Sequence, residues 1–306
     1  MGGQPAVSTL IDARGQARQG HLAMLAFSAL IAGSFSLGGQ VANEIAPAAL
    51  NAVRFALSAA VVGVVVAARG GWGDAGRALR APWRYGLLGG LFAIYFVTMF
   101  EGLKTAPPVS AAAVFTLTPV MSGIFGYMLL RQVMGGRILL ALSLGALGAL
   151  WVIFRADPAA LMAFEIGRGE AIFFWGCIGH ALYTPLVRVL NRGEPILVFT
   201  FWTLLTTAGI IGIYGWAEIL ATDWAGLRPM VWVTIVYTAV AATSMTVFLV
   251  QFATMRLPSS KVMAYTYLTP SWVLIWELAL GQPLPPMLVL GGVSLTIAAL
   301  ALLLKE

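Results

Sequence analysis

The sequence predicts an all-α membrane protein with ten transmembrane helices, arranged as two inverted five-helix repeats with both termini cytoplasmic. Three observations predict it. Hydrophobic residues make up 60% of the 306-residue chain and charged residues 10%, too little polar surface to cover a soluble globule of this length. The apolar residues fall into ten runs, each near the ~20 residues a helix needs to cross a bilayer. The segment PPVSAAAVFTLTP at 107–119 is echoed by PSSKVMAYTYLTP at 258–270, matching at both outer prolines, one Ala and the closing Leu-Thr-Pro. Five spans per repeat is an odd number, so the second repeat enters the membrane from the opposite side.

Only helices and closed barrels satisfy every backbone group in lipid, and the continuous apolar runs decide for helices. Residues 1–20, with Asp12, Arg14 and Arg18 among Gly and Gln, carry no apolar run and read as a mobile cytoplasmic tail. The first repeat, 21–155, holds spans at 21–42, 46–68, 85–103, 106–130 and 138–154. An outer connecting loop covers 156–170, and the second repeat, 171–304, holds spans at 171–190, 196–217, 230–253, 262–280 and 287–304. The first span follows a weakly basic stretch and is the only signal-peptide candidate; removing it would leave nine spans and break the five-plus-five pattern.

Charge sets the orientation. With the N-terminus inside, Arg69, Arg77, Arg80, Arg84, Arg131, Arg137, Arg188 and Arg192 all fall on the cytoplasmic side, whereas only Lys104, Arg155, Arg168 and Arg228 fall outside. The net charge of +6 and the pI near 9.8 follow from that bias and call for no nucleic-acid partner. The lone Cys177 sits inside the sixth span, where one thiol makes no internal disulfide and reads as a small core residue.

The repeated Leu-Thr-Pro triplets place Pro119 and Pro270 near the middle of the fourth and ninth spans. A mid-helix Pro removes one hydrogen bond and clashes with the preceding turn, so each span should kink there, with the preceding Thr partly answering the freed carbonyl. Paired kinks at mid-membrane make Pro119 and Pro270 hinge candidates.

The Pro47-x6-Arg54 start of the second span, the Glu101-Gly102-Leu103-Lys104-Thr105-Ala106 turn, the Pro-centred fourth span and the repetition of the whole together resemble the EamA family of the drug/metabolite transporter superfamily. Within it the chain is similar to the YddG-like aromatic amino acid exporters. The resemblance covers essentially everything after residue 20 and implies export of amino acids or related metabolites from the cytoplasm, as a multi-pass protein of the cell membrane. Family members often carry a Glu about 12 residues after each central Pro; those positions here are Arg131 and Gln282, so no role passes to them.

The residues themselves supply candidates. Arg54 lies about 12 Å of helix from the outer end of its span, a depth at which a charge is costly unless it meets water or a partner. Its planar fork suits a substrate carboxylate; the competing reading is a structural ion pair with Glu101 or Glu277. Those two acids, near the outer ends of the third and ninth spans, are the proton or amine candidates. His180, midway along the sixth span, titrates near neutrality. Tyr265, Thr269, Trp272 and Trp276 share one face of the ninth helix, His180 and Tyr183 one face of the sixth, and Phe92, Tyr95 and Met99 one face of the third. Such rings would wall a cavity for an aromatic or large apolar side chain, or else pack helix against helix. Ala141, Gly145 and Gly148 on the fifth helix, and Gly291, Gly292, Ala298, Ala299 and Ala301 on the tenth, mark close helix approach and a scaffold role.

There is no G-x-x-x-x-G-K-[ST] sequence, so any transport draws on a gradient rather than on bound ATP. One Cys and two His argue against an intramembrane enzyme, and no cofactor is expected. The expectation is therefore a secondary transporter exporting amino acids, aromatic and large apolar ones favoured, by alternating access. The alternatives are an exporter of another small metabolite or drug, and a channel. A monomer is favoured, because ten helices in an inverted repeat form a complete pathway alone.

Overall fold

The computed structural model describes residues 5–70, 72–73, 76, 79–131, 133–163, 165–254, 256–257, 262, 264–283 and 285–304. Its elements in chain order are α1 (Pro5–Val41), α2 (Pro47–Ala68), α3 (Trp83–Gly102), α4 (Pro108–Phe115), α5 (Thr118–Leu130), α6 (Gly136–Ile153), a short α7 (Pro158–Met162), α8 (Arg168–Leu190) and α9 (Ile196–Tyr214). There follow a short α10 (Trp216–Ala221), α11 (Pro229–Ala239), a π turn (Val240–Met245), α12 (Thr246–Thr254), a 3-10 turn (Tyr265–Leu268), α13 (Thr269–Ala279) and α14 (Met287–Leu304).

Among the described residues nine helices are long and apolar enough to cross a membrane, with α4–α5 counting as one and α11 running through the π turn into α12 as another. Large apolar side chains such as Val64, Leu140, Trp175, Ile213 and Leu288 stand exposed around the bundle, as lipid-facing residues do. The chain is an all-α, multi-span membrane protein. The expected ninth span is divided: α13 has 11 residues, only about 16 Å of helix, and is preceded by the 3-10 turn. Pro258 and Lys261 of the repeated motif lie outside the described residues.

The first helix begins at Pro5, not at residue 21, so the segment read as a tail continues the first span as helix. The sequence offers nothing to stop it: no Pro lies between Pro5 and Pro47, and Gly15 and Gly20 each cost only about 1 kcal/mol relative to Ala. The part of it long and apolar enough to cross a membrane is Gly15–Val41. Ala17 packs with Ala253 and Leu257, and a Cβ on Gly20 would stand 2.8 Å from Leu257 Cγ, so the glycine lets the two segments meet.

Both repeated prolines occupy the second position of a new helix. Helix α4 ends at Phe115, two residues pass without helix, and α5 restarts at Thr118-Pro119. In the second half the 3-10 turn ends at Leu268 and α13 starts at Thr269-Pro270. The expected kink is thus a break just before each Pro, where the ring denies the backbone its donor. Thr269 Oγ1 donates to the Thr266 carbonyl at 2.7 Å, as expected of the Thr before the Pro. In the first half that task moves two residues back, Thr116 Oγ1 donating to the Ala113 carbonyl at 2.7 Å.

Packing runs mainly between the halves. Helix α3 lies along α8, α2 along α9, α6 along α14, α4 against α13, and α1 against α11, α12 and α13. Small residues set the closest approaches. A Cβ on Gly148 would meet the Gly292 carbonyl oxygen at 2.6 Å, and a Cβ on Gly292 would meet that of Gly148 at 2.6 Å, so α6 and α14 touch backbone to backbone. Buried Ala141 and Gly145 extend that face, Gly145 receiving the ring of Tyr267.

Candidate functional site

Arg54 is 1% exposed on α2, and its partner is Thr243 rather than an acid. Nε and Nη2 donate to Thr243 Oγ1 at 3.3 and 3.0 Å, while Nη1 has no hydrogen-bond partner among the described residues. The guanidinium lies over the Phe96 ring, 4.2 Å from its centroid, and 5.3 Å from that of Phe55. Cation–π contact with a desolvated guanidinium contributes about 2 kcal/mol, and insertion of an Arg at a helix centre costs about 2.5–3.5 kcal/mol. The ring contacts thus offset much of the cost of the buried cation, and the Nη1 donor is left without a partner among the described residues.

Thr243 reaches Arg54 because the eighth span unwinds into the π turn at Val240–Met245, a distortion common at functional positions. Hydroxyls answer the carbonyls it displaces: Thr243 Oγ1 donates to Thr238 O at 2.8 Å and Ser244 Oγ to Ala239 O at 2.9 Å. From α2, Ser58 Oγ lies 3.0 Å from the same Ala239 oxygen.

Beside Arg54 the aromatic side chains of α3 and α8 form one cluster. His180 stacks on Tyr95 with centroids 4.5 Å apart, Tyr183 stacks on Phe92 at 4.3 Å, and Tyr95 meets Phe96 edge-on at 4.6 Å. Phe115 lies 5.9 Å from His180, bringing the end of α4 to the same place. His180 Nδ1 has no hydrogen-bond partner among the described residues. His180, Tyr183, Phe92 and Phe96 keep some accessible surface, whereas Tyr95 and Met99 are fully packed.

The ninth-span candidates sit apart from this cluster, tied to α1. Trp272 Nε1 donates to Ser28 Oγ at 3.0 Å, Trp276 Nε1 to the Ala29 carbonyl at 3.1 Å, and Tyr265 Oη lies 2.9 Å from His21 Nδ1. Thr269 is buried and turned back on the 3-10 turn before its helix. Trp272 and Trp276 nevertheless border the apolar cluster that contains Tyr95, Met99 and Phe115, so the two aromatic groups flank one interior.

The acids do not pair with Arg54. Glu101 Oε2 accepts from Lys104 Nζ at 2.6 Å near the end of α3. Glu277 lines a pocket of about 390 Å³ with Ser36, Gln40, Asn43, Lys104 and Gln282, at the end of the bundle where α1 and α3 finish and α4 begins. The competing reading, an ion pair of Arg54 with Glu101 or Glu277, fails because α2 turns Arg54 toward Thr243 of the eighth span, not toward the ends of the third and ninth. No group of three or more His, Cys, Asp or Glu able to hold a metal occurs among the described residues.

The sequence reading missed Thr243, and the run Thr238, Thr243, Ser244, Thr246 in an otherwise apolar span was the signal available. It also missed the buried Arg84–Glu194 pair, 2.6 Å apart, which joins the start of α3 to the connection before α9.

Comparison with known proteins bears on this arrangement. A model of the EamA-like transporter family matches the chain twice, over residues 18–154 and 167–304. The chain is 24% identical over 283 residues to a Bacillus subtilis (strain 168) protein described as "Uncharacterized transporter YyaM", covering 92% of each chain. A solved structure described only as "Crystal structure of protein" matches with a TM-score of 0.67 and 20% identity, over 94% of this chain and 96% of that one, a likeness of fold alone.

Proposed function

Because the chain belongs to the EamA-like transporter family, whose proteins are transporters and not enzymes, we propose that it is a secondary transporter exporting amino acids, aromatic and large apolar ones favoured, by alternating access. The observation that carries the cargo reading is the buried Arg54 guanidinium, held on Thr243 with Nη1 unpartnered, beside the rings of Tyr95, His180 and Tyr183. A carboxylate would take the spare donor, and the rings would bury an aromatic or aliphatic side chain by area and by ring contact. Met99 backs that wall, and Trp272 and Trp276 border the opposite side of the interior, while Tyr265, held by His21, and Thr269, bonded to the Thr266 carbonyl, stand off it and steady the ninth span. Pro119 and Pro270 are its hinges, since each interrupts a helix bordering the same interior.

The reading places ten spans in the cell membrane as two inverted repeats, at 21–155 and 171–304, both termini cytoplasmic and the molecule a monomer in the lipid bilayer. What supports inversion is an exchange of partners: α3 packs on α8 as the eighth span packs on α1, and α5 packs on α8 as α13 packs on α1. Helices α2 and α9, α4 and α13, and α6 and α14 meet as mirror pairs. Glu277 is the first candidate for proton coupling; Glu101, engaged by Lys104, is the second.

The test is uptake of labelled Phe or Trp into liposomes holding only the purified protein, with and without a pH gradient, beside Arg54→Ala. Saturable uptake that falls at least tenfold in the variant supports the reading. A folded protein that moves neither Phe, Trp nor Leu would sink the amino acid assignment in favour of another small metabolite or drug.

A further inference from the structure

The pocket at the end of the bundle is separate from the Arg54 site and has a different chemistry. It is lined by Ser36, Gln40, Asn43, Lys104, Glu277 and Gln282, around a space of about 390 Å³. A single water claims about 30 Å³ and small-molecule sites start near 300 Å³, so the space suits an organic group rather than a bare ion. Ser36 is 1% exposed, yet its hydroxyl has no hydrogen-bond partner among the described residues. Glu277 Oε1 is buried and likewise without a partner of good hydrogen-bonding geometry among the described residues, although the Ser36 hydroxyl stands close enough to the carboxyl to bond with it when no ligand takes its place. Buried polar atoms without partners are costly, about 1–3 kcal/mol each, and mark places where a ligand group or water belongs.

The charges decide the ligand. Lys104 Nζ is already 2.6 Å from Glu101 Oε2, which neutralises both. Glu277 is then the acid on the pocket wall that pairs with no basic side chain among the described residues. Asn43 Nδ2 donates to the Lys104 carbonyl at 3.3 Å, leaving its amide oxygen as a further acceptor. A carboxylate, a serine oxygen and amide oxygens receive a primary ammonium group, which brings three donors.

We propose that this pocket is a second binding site, taking the primary ammonium group of an organic amine or amino acid through Glu277 and Ser36. It stands whether or not Arg54 binds cargo; only its placement on the extracytoplasmic side, as a last station for departing substrate, rests on the orientation given above.

The test is calorimetric titration of the purified full-length protein in lipid nanodiscs, against empty nanodiscs, with phenethylamine (ammonium, no carboxylate) and 3-phenylpropionate (carboxylate, no ammonium). Phenethylamine should bind the wild type and Arg54→Ala alike, at least tenfold more weakly in Glu277→Gln and a few-fold more weakly in Ser36→Ala; 3-phenylpropionate should not displace it. Equal phenethylamine affinity in wild type and Glu277→Gln would overturn the proposal. So would displacement by sodium chloride but not by choline chloride at the same ionic strength, which would make this an ion site. If Glu277→Gln does not fold, Gln282→Trp, which fills the pocket and keeps the acid, carries the same expectation and the same refutation.

Discussion

Arg84 and Glu194 form a nearly enclosed ion pair, 1% and 8% exposed, with Nη2 2.6 Å from Oε1. The same guanidinium donates to the Leu190 carbonyl at 2.5 Å and to the Ala81 carbonyl at 3.2 Å, so it clasps the end of α8 to the start of α3. At the opposite end of the bundle, a helix length of about 30 Å away along α3, Arg228 at the start of α11 pairs with Glu44 before α2. The two pairs occupy equivalent places in the two halves, each an Arg opening a third span of its half and a Glu preceding the second span of the other. The Arg228–Glu44 pair is much more exposed, 62% and 28%. The conformation described here is therefore clasped more firmly at the Arg84 end.

Removing one partner of a buried ion pair leaves a charge uncompensated, typically at about 3–5 kcal/mol. Arg84→Ala should lower the melting temperature of the purified protein by many degrees. Arg228→Ala, at an exposed pair that solvent and salt screen, should leave it nearly unchanged. Equal effects would contradict the asymmetry.

Burial alone would raise the Glu194 carboxyl, but the Arg84 guanidinium and the Arg192 amide outweigh it and hold the group at about 2, below its ordinary 4.5. A carboxyl depressed on folding contributes stability that is fully present above its unfolded value and fades as pH falls toward the folded one. Melting temperature should therefore drop between about pH 4.5 and 2, and Glu194→Gln should be less stable at neutral pH and flatter across that window. A variant with an unchanged acid slope would show that other carboxylates set it.

Thr243→Val keeps the shape of the residue and removes the oxygen that receives both Arg54 bonds. The buried guanidinium then lacks its acceptor, a loss of about 1–3 kcal/mol. Uptake should fall by an order of magnitude, Thr243→Ser should restore it, and Arg54→Lys should not, because a point charge does not reproduce a planar fork. Full activity in Thr243→Val would remove Thr243 from the pathway.

Gly148→Leu would drive a side chain into the Gly292 backbone, where even a Cβ has 2.6 Å. Over-packing of that kind costs about 1–3 kcal/mol or more, so the melting temperature should fall. Gly90→Leu, at a position with open space around it, is the control and should be tolerated. A tolerated Gly148→Leu would contradict the close α6–α14 contact.

What the sequence made legible was whatever lipid imposes. Apolar run length located nine of the ten expected spans among the described residues, because backbone groups in hydrocarbon leave no other choice, and the repeated Leu-Thr-Pro located both helix breaks. Arg54 stood out because a charge in such a run needs a reason. The π turn was not legible: it arises from one displaced hydrogen bond, and Thr243 and Ser244 look like ordinary small residues until their hydroxyls are seen to answer Thr238 and Ala239. Nor did periodicity decide which partner an aromatic stripe meets. The face of Trp272 and Trp276 turned out to be fastened to Ser28 and Ala29 of α1, while that of His180 meets the rings of α3. The start of α1 at Pro5 was hidden because polar residues end a span without ending a helix.

Counterflow in proteoliposomes tests the central claim, a carrier for amino acids with Arg54 in its path, most directly. Vesicles loaded with unlabelled phenylalanine and diluted into labelled phenylalanine should take up label in a saturable way, faster than empty vesicles, and Arg54→Ala should abolish the acceleration. Uptake that rises linearly with concentration, ignores the internal pool and survives in Arg54→Ala would contradict it.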